Sequence, residues 1–407
     1  MKILLSAFAC QAGQGSEPGL GWTWASRLAR AGHDVWVITR SVGRDDNEAA
    51  RIAHGLADRL HFVYYDHPRF PRSFGKTHLG YYVFCQSWQV GAFRVAKRLH
   101  ARVEFDAVHH VTFATARFGS LMGTLGIPFT FGPVAGGERI PFALRRSLPV
   151  TGQLRELVRD LNNLTVAWAP LTRRTFAQAD QILVTNAETL SLVPKAHRAR
   201  SKIQLAIGTD AENDRRGEPI VRNDVVFELL HVGSLLSRKG LHLALTAFAQ
   251  FHHEHPRSAF TIVGDGPERA RLRSLARSLG IEDAIHWLPW QSRESVLELY
   301  RRFDVFLFPS LRDSGAMVVL EALANGLPVM CLDLGGPGTI VDETCGRVIA
   351  TAGQGEAAVV AALVSRLHEL ANDPGLRERL RAGARVRARQ FTWDSVIGSI
   401  YGDRSGT

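Results

Sequence analysis

Short apolar segments alternate with helix-forming segments along the whole chain, and this alternation restricts the fold more than any other feature of the sequence. Strands of a parallel sheet that is covered on both faces are continuous apolar runs, and each needs a helical crossover to reach the next. The pattern therefore predicts an α/β protein. Predicted strands lie near 2–8, 34–39, 61–65, 106–111, 128–132, 181–185, 203–207, 226–232, 259–263, 284–288, 304–308, 328–332 and 347–349. Predicted helices lie near 19–31, 78–101, 117–125, 151–177, 187–193, 239–253, 268–279, 293–302, 316–325, 356–371 and 375–388.

The length of the chain indicates two such domains, because a single core stops growing at about 250–300 residues and this chain has 407. The stretch 208–224 carries many charges and no periodicity, so we interpret it as a linker. We expect doubly wound, Rossmann-like domains at 1–207 and 225–390. Ligands of open α/β sheets bind beyond the carboxyl ends of the strands, so the loops that follow strands are the informative ones.

Charge is distributed unevenly between the two halves. Residues 1–205 contain 26 Lys and Arg against 14 Asp and Glu, whereas the remainder contains 23 against 25, for a net charge of +10. No apolar run approaches the roughly 20 residues needed to span a bilayer. The four cysteines lack the spacing of a metal or redox site, as in a reduced, cytoplasmic protein. We expect a cytoplasmic protein whose halves have different partners, and no nucleic-acid-binding motif is present.

Three loops between a strand and a helix are candidates for binding an anion. The glycines of QAGQGSEPGLGW (11–22) let the backbone approach a ligand at a helix N-terminus. The segment HVGSLLSRKG (231–240) brings Arg238 and Lys239 to a helix start, where two cations suit a diphosphate. The turn in IVGDGPER (262–269) is a weaker candidate. The alternatives are a glycine-rich turn without a ligand, a solvated basic turn, and a loop in which an aspartate caps a helix.

Two carboxylates flank a helix start in RDSGAMVVLEALANGLPVM (312–330). Asp313 lies on the loop, and Glu321 stands on an otherwise apolar helix, six residues after Gly315. A carboxylate there could accept two hydrogen bonds from a ribose diol, and the loop acid could bind sugar hydroxyls. The alternative is a solvated glutamate on the outer face of the helix.

Taken in order, these segments resemble glycosyltransferase family 4. In the second half the resemblance rests on VGSLLSRKG, TIVGDGPER, HWLPWQSRESVLELYRRFDVFLFPS, RDSGAMVVLEALANGLPVM and GGPGTIVDE; in the first it rests on GSEPG, AGHDVWVIT, FDAVHH and LVTNAET. It implies a GT-B fold and a retaining glycosyltransferase that moves a sugar from a nucleoside-diphosphate sugar to a hydroxyl acceptor. The terminal FTWDSVIGSIY resembles the last helix of the family, so 391–407 would cross back to the first domain.

The resemblance also implies roles for individual residues. Glu321 would bind the donor ribose, and Lys239 the donor diphosphate. Asp313 takes the place of the family's first glutamate at the reacting sugar. His109 or His110 would lie near the reacting centre and position the sugar, although a lone histidine at a strand end is more often structural. The remaining implied donor contacts are Arg238, Gly15, Ser16, Gly233, Ser234, Gly264, Leu288, Trp290, Gln291, Ser314, Gly315, Ala316, Met317 and Val318.

Three positions depart from the family pattern. Asp313 is one methylene shorter than the usual glutamate, and Ser16 replaces the second glycine of a pair. Ser234 stands where an arginine is common, so Arg238 supplies that charge or Lys239 binds the phosphate alone. There is no Asp-x-Asp motif, and we therefore expect no metal cofactor, with cations and helix N-termini offsetting the charge of the leaving phosphate.

The acceptor and two other functions stay open at this stage. The acceptor is a glycan, a lipid-linked sugar or a small molecule. The basic first half, with mixed basic and apolar stretches at 67–84 and 144–161, suggests peripheral contact with an anionic membrane at its inner face; the alternative is charge that aids solubility or attracts an anionic soluble acceptor. Other functions that fit are a GT-B sugar-nucleotide epimerase or phosphorylase, and a catalytically silent sugar-nucleotide-binding protein.

Overall fold

A computed structural model describes residues 1–67, 78–166, 168–210 and 226–402. The described residues contain thirteen strands and fourteen α-helices. The strands are β1 (Lys2–Ala7), β2 (Asp34–Thr39), β3 (Leu60–Tyr64), β4 (Ala107–Thr112), β5 (Phe129–Val134), β6 (Gln181–Val184), β7 (Ser201–Ile203), β8 (Phe227–Val232), β9 (Ser258–Val263), β10 (Ile285–Leu288), β11 (Val305–Phe308), β12 (Val329–Leu332) and β13 (Gly346–Ile349). The helices are α1 (Ser16–Arg30), α2 (Arg44–Ala53), α3 (His78–Val103), α4 (Val150–Thr165), α5 (Pro170–Gln178), α6 (Ala187–Leu192), α7 (Leu241–Glu254), α8 (Arg269–Ser278), α9 (Arg293–Tyr300), α10 (Met317–Ala324), α11 (Gly335–Ile340), α12 (Glu356–Asn372), α13 (Pro374–Arg389) and α14 (Trp393–Tyr401).

The first of two compact units comprises Met1–Gly137, Leu161–Ala206 and Val396–Thr407. Its seven strands form one sheet in the order β3-β2-β1-β4-β5-β6-β7, and the paired strands are parallel. Strand β1 contains a continuous apolar run, Ile3, Leu4 and Leu5, which is fully buried, as is typical of a parallel strand whose sheet is covered on both faces. The C-terminal residues from Val396 belong to this unit, and the predicted return of the last helix to the first domain is confirmed.

The second unit comprises Glu138–Asp160 and Ile207–Ser395. Its six strands are ordered β10-β9-β8-β11-β12-β13 and also pair in parallel. From β8 the chain proceeds outward through β9 and β10, and it then returns to form β11 on the other side of β8. An open sheet of this type forms a ligand crevice at such a reversal, here between β8 and β11. The predicted class, two doubly wound parallel-sheet domains, is confirmed. Of the predicted linker 208–224, residues 211–224 lie outside the described residues.

The segment 138–160 packs with the second unit, although the sequence-based boundary places it in the first domain. Ile140, Leu144 and Leu148 of this segment are buried in the core of the second unit, and polar contacts with distant residues of that unit add to this packing. The Arg312 guanidinium forms an ion pair with Glu156 at 2.8 Å. The Glu356 carboxylate accepts a hydrogen bond from the backbone N–H of Ser147 at 3.0 Å. Contacts of this kind join residues more than 150 positions apart and leave no local pattern in the sequence.

Several predicted helices differ from those observed. The predicted helix 151–177 is two helices, because Pro170 starts α5 and a proline disfavours helical geometry in the residue before it. The predicted helix 117–125 is only a 3-10 turn, Met122–Leu125, which ends at Gly126 with φ of +78°. Helices α2 and α11 were missed. The sequence of α2 is mostly polar and that of α11 begins Gly-Gly-Pro-Gly, a composition typical of turns.

Candidate functional site

In the second unit the loop after β8 meets the loop after β11. A 3-10 turn, Ser237–Lys239, precedes Gly240, whose φ is +69°. A side chain at Gly240 would collide with the carbonyl oxygen of Pro309, which directly follows β11. Glycine is therefore required for both the backbone conformation and the close approach. The backbone N–H of Leu311 donates to the carbonyl of Arg238 at 2.9 Å and fixes the two loops together.

The close approach of these loops brings Lys239 against Asp313. The ammonium of Lys239 forms an ion pair and hydrogen bond with the Asp313 carboxylate, and it lies 4.8 Å from the centroid of the Phe308 ring. Lys239 is 9% exposed. Burial lowers the pKa of Lys239, and the neighbouring Asp313 opposes that effect. The lysine ammonium has three N–H donors and Asp313 takes one of them, so Lys239 has further donors for another anion.

The Asp313 carboxylate also accepts hydrogen bonds from the start of α10. Its Oδ1 atom accepts from the backbone N–H of Gly315 at 3.2 Å and from that of Ala316 at 3.0 Å. Ala316 adopts a left-handed conformation with φ of +47°, which is uncommon for a residue with a side chain. Burial acts to raise the pKa of Asp313, but Lys239, the N–H group of Ala316 and the charge of Arg238 bring it below its ordinary value. The carboxylate thus occupies an anion site made of one ammonium and two backbone amides.

Two arginines border this anion site. Arg238 donates from its guanidinium to the carbonyl of Arg312 at 3.1 Å, and burial lowers its pKa. Arg312 in turn pairs with Glu156. Ser234, on the preceding loop, is partly buried, and its carbonyl accepts from the N–H of Leu236 at 2.9 Å. Arg238 and Lys239 are thus two cations on the loop that follows β8, and whether Arg238 supplies the charge that is missing at Ser234 stays a prediction.

Glu321 lies on α10, whose buried face consists of Val319, Leu320, Ala322 and Leu323. Its side chain is only 12% exposed and accepts from Nε of Arg293 at 3.1 Å. Burial raises the pKa of Glu321, and Arg293 partly offsets that effect. Glu321 is thus a largely buried carboxylate with an exposed cationic partner, and it does not stand on a freely solvated face.

The ends of β8, β9 and β10 bring other predicted donor contacts together. A side chain at Gly264 would collide with the carbonyl oxygen of Gly233, and the N–H of Gly264 donates to the carbonyl of Leu288 at 3.1 Å. Next to Leu288, Trp290 is 58% exposed. Gln291 donates to the carbonyl of Pro289 at 3.3 Å. The predicted contacts on α10 and its loop are Ser314, Met317 and Val318, and Met317 is 36% exposed.

Sequence reasoning missed three polar residues of the second unit, His231, Arg293 and Arg312, and one of the first unit, Glu17. His231 is fully buried on β8, stacks on Phe308 at 5.5 Å, and has a pKa lowered to about 4 by burial. Arg293 contacts Glu321 and Arg312 contacts Arg238. Each contact joins residues that are far apart in the sequence, so no local pattern indicates it. Glu17, in the first unit, accepts from the N–H of Ala114 at 2.7 Å, and burial raises its pKa. The motif GSEPG was the only sequence signal for Glu17.

In the first unit β4 positions the two adjacent histidines differently. Nε2 of His109 lies 2.5 Å from the carbonyl of Gly132 and Nδ1 lies 2.7 Å from the hydroxyl of Tyr401. Since a carbonyl only accepts, Nε2 carries the proton and Nδ1 accepts from the tyrosine. Both nitrogens of His109 therefore have partners within the unit. Its ring is fully buried and fixes the C-terminal helix to the sheet.

His110 retains one unpaired nitrogen. Its Nε2 lies 3.3 Å from the carbonyl of Phe113, whereas Nδ1 is buried and has no hydrogen-bond partner among the described residues. Burial lowers the pKa of His110 to about 4, so the ring is neutral near pH 7. Of the two predicted histidines, His110 is the one with an unpaired ring nitrogen among the described residues, and that nitrogen is buried within the first unit.

The loop after β1 carries Gly15 and Ser16 at the start of α1. Gly15 is exposed, and Ser16 has φ of +58°. That conformation favours glycine, which gives a physical reason for a Gly-Gly pair at this point in the related family.

In the described part of the chain no group of three or more His, Cys, Asp or Glu side chains is arranged to hold a metal ion. No described helix combines the length and apolar character needed to cross a membrane.

Comparison with known proteins identifies the family. The family described as glycosyl transferases, group 1, matches residues 212–387. A D-inositol 3-phosphate glycosyltransferase of Acidothermus cellulolyticus is 30% identical over 399 residues, which span 93% of this chain and 82% of the relative. The chain belongs to the glycosyl transferases of group 1. A glycogen synthase of Mycobacterium tuberculosis is 31% identical to this glycosyltransferase over 171 residues, or 42% of this chain and 40% of the relative.

Solved structures show the same fold at low sequence identity. HepE of Anabaena, in complex with UDP and glucose, aligns with this glycosyltransferase over 100% of both chains, with a TM-score of 0.61 and 15% identity. The sucrose-phosphate synthase of Thermosynechococcus elongatus aligns over 99% of this chain and 98% of its own, with a TM-score of 0.61 and 19% identity. Together with the two parallel sheets, this likeness confirms the predicted GT-B fold.

The pKa of His110 makes the stability of this glycosyltransferase depend on pH. The unfolded chain takes up a proton near the ordinary value of 6.5, but the folded chain does so only near 4. The contribution of neutral, buried His110 to the free energy of unfolding is therefore complete above pH 6.5 and is lost as the pH falls through 4. Chemical denaturation at pH 7 and pH 5 should show a smaller loss of stability, by about 1–3 kcal/mol, for His110→Gln than for the wild type. The control is His253→Gln, at an exposed histidine. If His110→Gln lost as much stability as the wild type between pH 7 and pH 5, the lowered pKa of His110 would be contradicted.

Proposed function

We propose that this glycosyltransferase moves a sugar, with retention of anomeric configuration, from a nucleoside-diphosphate sugar to a hydroxyl acceptor. The observation that carries the proposal is the anion site formed by Lys239 and the N–H groups of Gly315 and Ala316. The Asp313 carboxylate holds the Lys239 ammonium in place, and the ammonium has three N–H donors, so it can also donate to phosphate oxygens. The complexes of HepE with UDP and UDP-glucose, a protein of the same fold, support a nucleotide donor.

The anion site would act on the charge that develops as the donor breaks down. When the bond between the sugar C1 and the phosphate oxygen breaks, negative charge grows on the diphosphate and positive charge on the sugar. Lys239, Arg238 and the amides at the start of α10 offset that negative charge electrostatically. The acceptor oxygen forms the new bond to C1 from the same face, and its proton passes to the leaving phosphate oxygen. Asp313 would position sugar hydroxyls.

Glu321 would bind the ribose of the donor. Its carboxylate has two oxygens for the two hydroxyls of a ribose, and burial among the apolar residues of α10 strengthens such hydrogen bonds. Arg293 contacts Glu321 from an exposed position, with 60% of its side chain accessible. The arginine can therefore swing away at little energetic cost when a nucleotide enters.

The acceptor side is proposed to include a membrane surface. The basic first half of the sequence favours contact with anionic lipids, and a lipid-linked sugar is an acceptor that such contact would serve. The named relatives act on acceptors of different size, since one is named for an inositol phosphate and another for glycogen. Inositol phosphate and glycogen both carry hydroxyl groups, so the proposal specifies a hydroxyl acceptor and not its size.

Replacing Glu321 by alanine tests the donor site. Each lost hydrogen bond to a charged group should cost about 1.5–3 kcal/mol, so donor affinity and turnover should fall by at least about tenfold. The fold should persist, because the partner left behind is the exposed Arg293. Glu298→Ala, at an exposed acid of α9, is the matched control. Calorimetric donor binding and initial rates are the measurements; values within about twofold of wild type would refute the role of Glu321.

Removal of divalent cations tests the way in which the leaving group is stabilised. Because Lys239, Arg238 and the α10 amides supply the positive charge in this account, EDTA should leave the transfer rate unchanged. The rate is compared in metal-free buffer with and without added magnesium or manganese. An absolute requirement for either ion would contradict the proposed stabilisation of the leaving phosphate.

A further inference from the structure

Helix α4 turns three of its four charged side chains toward the protein, the exception being the exposed Arg155. Glu156 is 4% exposed and pairs with Arg312 at 2.8 Å. One turn further, Arg159 pairs with Glu138 at 3.0 Å, and Asp160 pairs with Arg145 at 2.7 Å. Residues three and four apart lie on the same side of a helix. The inward face of α4 is therefore a row of ion pairs.

The opposite face of α4 is apolar and exposed. Its large apolar side chains recur at spacings of three and four residues and cover about 120° of the helix circumference. Between 51% and 81% of each is accessible. This apolar face consists of Val150, Leu154, Leu157, Val158, Leu161 and Leu164. A surface helix normally has the reverse arrangement, with its apolar stripe on the core, so six exposed aliphatic residues on one face need another partner.

The surroundings of the apolar face are basic and aromatic. The three acidic residues between 138 and 174 are Glu138, Glu156 and Asp160, and all three are in ion pairs. The exposed arginines of the same stretch are Arg139, Arg146, Arg155, Arg173 and Arg174. Phe142, before the helix, is 84% exposed, and Trp168, after it, is 76% exposed. Aromatic residues at the ends and cations at the sides of an apolar helix face fit the boundary between lipid headgroups and acyl chains.

We propose that the apolar face of α4 inserts into the surface of an anionic lipid bilayer, with the helix parallel to the membrane plane. The inference deepens the membrane contact of the proposed function, on which it rests, by naming the inserting element. A second copy of the chain fits this face less well. A two-fold symmetric contact brings each patch onto itself, so the arginines of both copies would be brought together without exposed acids on α4 to balance them. A bilayer with anionic headgroups supplies both an apolar layer and the opposite charge.

Sedimentation with lipid vesicles tests this surface. The full-length wild type should pellet with phosphatidylglycerol vesicles and far less with pure phosphatidylcholine vesicles. The double variant Leu154→Asp/Leu157→Asp should lower the partition coefficient between vesicles and water by about 100-fold, because two leucines that the proposal buries in the bilayer are lost. Its thermal stability should stay unchanged, because both side chains are already exposed in the folded chain.

Two further variants separate apolar insertion from charge attraction. Ile52→Asp/Val386→Asp adds the same two charges at side chains of similar exposure, 66% and 56%, and should leave the partition coefficient as in the wild type. Arg146→Gln/Arg155→Gln should reduce the preference for phosphatidylglycerol. Three results would each overturn the proposal: a wild type that stays in the supernatant at low salt, a leucine variant that still pellets, or a lipid-free dimer that the leucine substitutions dissociate.

Donor binding, followed by thermal shift on the same preparations, keeps this inference distinct from the proposed function. The leucine variant should bind nucleotide as the wild type does, since no residue of the anion site is changed. Vesicle binding without nucleotide binding would refute the proposed transferase mechanism and leave the inserting face intact. Nucleotide binding without vesicle binding would refute the inserting face alone.

Discussion

The ion pair between Lys239 and Asp313 organises the carboxyl ends of the strands in the second unit. It joins the loop after β8 to the loop after β11, and Asp313 extends the contact to the start of α10 through two N–H groups. Buried ion pairs add little to stability, because the desolvation of both charges offsets their attraction. Removing one partner is far more costly, at about 3–5 kcal/mol. Such a pair is therefore better explained by what it can bind than by what it stabilises.

The sequence predicts the fold because its patterns are local. Continuous apolar strands separated by helical segments are sufficient to predict two parallel sheets, and the glycines near positions 233, 240 and 264 mark the loops where strands end. The carboxylates Asp313 and Glu321 were also predictable, since an acid near an apolar helix between two buried strands needs a partner. Whether these residues bind a donor is a separate question that the proposed substitutions address.

Contacts between distant residues were not predictable. Glu321 contacts Arg293, 28 residues away, and His109 contacts Tyr401, 292 residues away. The orientation of α4 is the clearest example. Its periodicity predicts an amphipathic helix, but the ordinary expectation places the apolar face inward. The reverse occurs because Arg312, Arg145 and Glu138 supply ion-pair partners for the polar face, and only the fold brings Arg312 close to it.

The central claim is that Lys239 binds the diphosphate of the donor, and calorimetric titration tests it most directly. The titrants are the nucleoside diphosphate that most stabilises the wild type and the corresponding nucleoside. The variant is Lys239→Met/Asp313→Asn, which removes both charges so that neither is left alone in the interior, and circular dichroism checks its fold. The wild type should prefer the diphosphate by about 10–100-fold, the equivalent of one charged hydrogen bond, and the variant should lose most of this preference. A folded variant that binds the diphosphate as tightly as the wild type would contradict the account.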